Sequence, residues 1–118
     1  MNATFSISSY LFRFFTSVTP TASVDQAAQR AYARVMDNYG RPNSTLFTWR
    51  FLQEEGADIV NDYISGKVTR HRAAETLAQA WNTDLGNISA QQRRFRMAST
   101  AMNADFFFTE LAKELNAH

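Results

Sequence analysis

The chain has 118 residues, of which 45% are hydrophobic and 19% charged, so it can bury a core and is excluded from the class of disordered tails. Twelve basic and eleven acidic residues leave a formal charge of +1, which excludes a strongly basic nucleic-acid protein or an acidic mimic on global charge. No cysteine is present, which excludes disulfides, thiolate metal sites and cysteine nucleophiles.

The length is that of one domain, expected over 1–118. No apolar run approaches the ~18 residues of a membrane span. The nearest, Phe5 to Val18, is interrupted by Arg13; it lacks a leading positive charge and has Pro20 beside any small-residue cleavage site, so it does not read as a signal peptide. It reads instead as a helix over 5–17, with Ser6, Ser9, Arg13, Thr16 and Ser17 as a narrow polar stripe and Pro20 as its stop.

A second helix is expected over 24–39. Ser23 and Gln26 have the spacing of a capping box; Ala28, Ala31, Tyr32, Val35 and Tyr39 form the inward stripe, and Gly40 supplies a left-handed stop before Pro42. A third is expected over 45–65, capped by Ser44, with Leu52, Ile59, Val60 and Tyr63 inward and Gly56 in mid-run, where it marks either a close approach or a break. A fourth over 70–82 follows Thr69 and turns Ala74, Leu77, Ala78 and Trp81 inward. The fifth, over 90–115, follows Ser89 with Gln92 completing another capping box. The whole is an all-α protein, a compact bundle of about five helices.

The last helix carries two apolar faces. Met97, Ala101, Ala104, Phe108, Leu111 and Leu115 follow the spacing of an a/d seam, while Phe95, Ala98, Met102 and Phe106 point to nearly the opposite side and Phe107 lies off both. Either the helix is central and both faces are covered within the bundle, or Phe95, Met102 and Phe106 meet a partner, with Arg93, Arg94 and Arg96 beside them.

Catalytic material is scarce. His71 and His118 belong to no metal-ligand motif, the four glycines form no phosphate loop, and there is no nucleophile elbow. Glu55, Asp58 and Asp62 share a helix face but read as a solvated acidic stripe, so neither metal nor cofactor is expected. The alternative to protein binding is nucleic acid: Arg70, His71 and Arg72 at one helix start and Arg93, Arg94 and Arg96 at the next form a basic patch if the two starts lie side by side. A membrane-surface role is disfavoured, because the Phe-rich first segment has Arg13 as its one cation. The expectation is a non-enzymatic cytoplasmic interaction module that binds a protein partner or its own copy as an adaptor, assembly factor or inhibitor.

Overall fold

The computed structural model describes residues 21–41 and 45–116, and among these the chain is helical with no strand. In chain order the elements are α1 (Thr21–Tyr39), α2 (Trp49–Glu54), α3 (Ala57–Ile64), α4 (Arg70–Trp81) and α5 (Ala90–Asn116). The helix expected over 5–17 lies outside the described residues, as does the expected cap Ser44. The count of five among the described residues is reached because the third expected helix is two.

Four boundaries have local causes. α1 starts at Thr21, so Ser23 lies inside the helix rather than capping it. The turn before α2 is capped by Thr48, whose Oγ1 accepts from the Phe51 N–H at 3.0 Å, so residues 45–48 are not helical as expected. At the break, the N–H groups of Glu55 and Gly56 both reach the Phe51 carbonyl, at 2.8 and 3.1 Å, and helical bonding resumes with Val60 N–H on the Gly56 carbonyl. A Cβ at Gly56 would stand 3.0 Å from both Leu52 Cδ1 and the Leu52 carbonyl oxygen, one turn back in the chain, so this glycine marks a break with local crowding rather than a close helix–helix approach. α3 ends in a Schellman arrangement, with Lys67 N–H on the Asp62 carbonyl at 2.9 Å and Gly66 at φ +82°.

Gly40 differs from the expected left-handed stop. The left-handed glycines among the described residues are Gly66 and Gly86, whereas Gly40 is demanded by space: a Cβ there would lie 2.7 Å from the Met36 carbonyl oxygen.

The core forms where α5 lies between α1 on one flank and α4 on the other. Val24, Ala27, Ala28, Ala31 and Val35 of α1 are buried against it, as are Ala73, Ala74 and Leu77 of α4. Phe107 joins these layers, meeting Phe47 edge-on at 6.4 Å and Phe108 at 5.2 Å, while Tyr63 closes on Phe108 at 5.0 Å. The segment before α2 is held from both sides: Tyr32 donates its hydroxyl to the Phe47 carbonyl at 2.7 Å, and Trp81 Nε1 donates to the Thr45 carbonyl at 2.8 Å. Along the outer edge of the α1–α5 contact, Arg34 pairs with Glu110 and Glu114, and Arg30 with Glu114.

Two stability predictions follow from this packing. Phe107 is fully buried and Phe95 is 72% exposed. Urea unfolding is expected to give a loss of about 3–5 kcal/mol for Phe107→Ala, against a change within about 0.5 kcal/mol for Phe95→Ala. Burial also pushes the Asp25 carboxyl above its ordinary 3.8, outweighing the lowering hydrogen bond from Gln29, and its Oδ1 is buried without a partner. The folded chain therefore holds that proton more tightly than the unfolded one, and stability is lost as pH rises through the folded value. Asp25→Asn is expected to be more stable than wild type at about pH 7, and the difference is expected to vanish at about pH 3.

Candidate partner interface

The last helix begins as its capping box requires. Gln92 N–H donates to Ser89 Oγ at 3.0 Å, and Ser89 N–H returns to Gln92 Oε1 at 3.3 Å. The preceding turn is fixed by Gly86 at φ +69°, whose carbonyl accepts from Arg93 Nη2 at 3.2 Å. Below it, Asn82 is buried and donates to both the Ala78 carbonyl at 2.8 Å and Thr100 Oγ1 at 3.0 Å, which clamps the end of α4 to α5.

The two expected roles of α5 divide along its length. Ala104, Phe107, Phe108 and Leu111 are fully buried, so the second half of the helix is central in the bundle. Upstream, Phe95 is 72% and Met102 54% exposed, and Ala98 is exposed between them. At 100° per residue these two large side chains stand roughly 120–140° around the helix from Phe107, near the direction of Phe106 but upstream of the point where Tyr39 ends α1. Phe106 departs from the expected set of exposed residues: it is half-buried and meets the Tyr39 ring edge-on at 5.5 Å. Between the exposed pair lies a shallow groove of about 300 Å³ lined by Phe95, Ala98, Ser99 and Met102. Ser99 was not among the expected residues, because a small polar side chain carries no apolar signal. Ala98 also lines a second groove of about 250 Å³, shared with Met97 and Ala101 of α5 and with Glu75, Ala78 and Gln79 of α4.

The seam inferred from spacing is only partly the buried face. Ala104, Phe108 and Leu111 are buried, but Met97, Ala101 and Leu115 are half-buried, and the buried face is centred nearer Phe107. Thr100, Asn103 and Glu110 complete that face.

Arg93, Arg94 and Arg96 stand at the start of α5, and among the described residues none lies within ion-pair distance of a carboxylate. The second basic cluster is elsewhere. Arg70 Nε donates to Asp105 Oδ1 at 2.9 Å, Thr69 and Arg70 share a groove with Ala112 and Leu115, and Asn82 at the other end of α4 touches Thr100. α4 and α5 thus run antiparallel, and the start of α4 lies about 20–30 Å along α5 from Arg93 at 1.5 Å per residue. Arg70, His71 and Arg72 therefore do not join Arg93, Arg94 and Arg96 in one patch, and the pair is a helical hairpin rather than a helix-turn-helix with a crossing recognition helix. His71 is exposed and lies 3.2 Å from Glu75 one turn along. Glu55 falls at the break before α3, so Glu55, Asp58 and Asp62 do not ride one continuous helix, and no group of three metal-ligating side chains converges among the described residues. None of the described helices is long and apolar enough to cross a membrane.

No protein-family model, curated protein or solved structure matches this chain.

The capping clamp makes a checkable prediction. Asn82→Ala leaves Thr100 buried without its partner and is expected to cost about 1–3 kcal/mol in urea unfolding, whereas Asn87→Ala, at an exposed position in the same loop, is expected to change stability by less than about 0.5 kcal/mol.

Proposed function

We propose that this chain is a non-enzymatic interaction module, an adaptor, assembly factor or inhibitor, that docks a protein partner or a second copy through the first half of α5. The observation that carries this reading is the pair Phe95 and Met102, two large apolar side chains left in water on one helix face with small residues between them. Withdrawing the exposed part of each from water contributes at most about 1.5–3 kcal/mol, and an aromatic anchor beside a methionine has the composition found at interface centres. The docking set is Phe95, Met102, Ala98 and Ser99; Phe106 is taken up by Tyr39 and is left out of it. Arg93, Arg94 and Arg96 steer the encounter. The reading sets this role in the cytoplasm and needs no cofactor.

Nucleic-acid binding is the weaker reading, because it drew on two basic helix starts acting together and they are far apart.

The test is site-specific photo-crosslinking in cells of the source organism. A benzophenone-bearing phenylalanine at position 95 is expected to yield adducts of discrete mass that the same group at exposed Glu55 does not yield. Matching adduct patterns from the two positions, or none from position 95, would contradict the proposal.

A further inference from the structure

We infer that the occupant of the Phe95–Met102 groove is an acidic amphipathic helix. This rests on the docking reading above and adds the chemistry of the partner. Between Asp84 and Asp105 the chain carries three arginines and no acid. Arg93 is turned to the Gly86 carbonyl, while Arg94 and Arg96 have no carboxylate within ion-pair distance among the described residues. At 100° per residue they stand about 100° to either side of Phe95, so the apolar groove has an uncompensated cation on each bank. Asp105 is engaged by Arg70 at 2.9 Å, and Glu75 lies 3.2 Å from His71.

The shape fits a helix. Phe95 and Met102 are separated by two turns, with Ala98 and Ser99 as a low floor between them, so a partner helix can lay an apolar stripe spaced i, i+3 or i+4, i+7 into the groove. Carboxylates on both edges of that stripe then meet Arg94 and Arg96. A second copy brings the same acid-free, arginine-bearing stretch, so like charge faces like charge across an isologous contact. The chain's own segment Phe5–Val18 has no acid, and its one charge is Arg13. A nucleic-acid strand gains from the arginines but leaves the Ala98–Met102 floor unused.

Fluorescence anisotropy with the full chain tests this. Three labelled peptides of roughly 16 residues share one Leu stripe at i, i+3, i+7 and differ in flanking residues, which are Glu, Gln or Lys. A labelled oligo-dT and a labelled peptide of residues 5–18 serve as further probes. The Glu peptide is expected to bind at least about tenfold tighter than the Lys peptide at low salt, with the gap closing as salt is raised. Arg94→Gln with Arg96→Gln is expected to abolish that preference without changing affinity for the Gln peptide, and Phe95→Ala to weaken all three.

Equal affinity for the three peptides, still dependent on Phe95, overturns the acidic partner and leaves the docking reading intact. Binding of none of the three overturns the acidic helix, and the crosslinking result then decides the docking reading separately. Tighter binding of oligo-dT or of the 5–18 peptide than of the Glu peptide overturns the inference, as does Phe95-dependent dimerisation in sedimentation.

Discussion

The 27-residue α5 is about 40 Å long, against about 28 Å for the 19 residues of α1 and about 18 Å for the 12 of α4. A helix flanked by shorter ones is covered only where they run beside it, and only on the sides they approach. On the α1 side coverage ends where Tyr39 meets Phe106. On the α4 side it reaches as far up as Met97 and Ala98, which share a groove with Glu75, Ala78 and Gln79. Among the described residues Phe95 and Met102 are the large apolar side chains of α5 left exposed. The length mismatch and the position of these two residues together create the docking face. Neither would do so alone.

The same geometry keeps the face in register. Asn82, bonded to Thr100 and the Ala78 carbonyl, fixes the height of α5 against α4, and the Ser89–Gln92 box with Gly86 fixes where α5 begins. The Arg34–Glu110–Glu114 cluster holds the other flank to α1. A face built on a helix pinned at both flanks loses little freedom on binding, which favours affinity for a given contact area.

Much of this was legible in the residues. The inward stripes Ala28, Ala31 and Val35, and Ala74, Leu77 and Ala78, repeat at helical spacing, and the Thr69 and Ser89 caps have the hydroxyl that a helix start needs. The break at Gly56 was readable only as a choice, because the crowding by Leu52 one turn back depends on the backbone conformation that the break itself adopts. The true centre of the α5 face was hidden. Thr100, Asn103 and Glu110 are buried there beside Phe107, so a search for apolar repeats follows Met97, Ala101 and Leu115 towards the edge instead. Polar residues buried inside the fold are invisible to hydrophobic periodicity. Phe106 misleads for a related reason: its spacing matches Phe95 and Met102, but only the end of α1 decides that Tyr39 covers it. The separation of Arg70, His71 and Arg72 from Arg93, Arg94 and Arg96 follows from the antiparallel hairpin, and spacing along the chain does not encode that direction.

The docking face exists only if a lone subunit leaves the Phe95–Met102 side of α5 in water. Hydroxyl-radical footprinting of the dilute full chain, read by mass spectrometry at each residue, measures this directly. Phe95 and Met102 are expected to be labelled rapidly while Phe107 and Phe108, fully buried, stay protected. Protection of Phe95 and Met102 to the level of Phe107 and Phe108 would mean that the chain covers this face itself, contrary to the account.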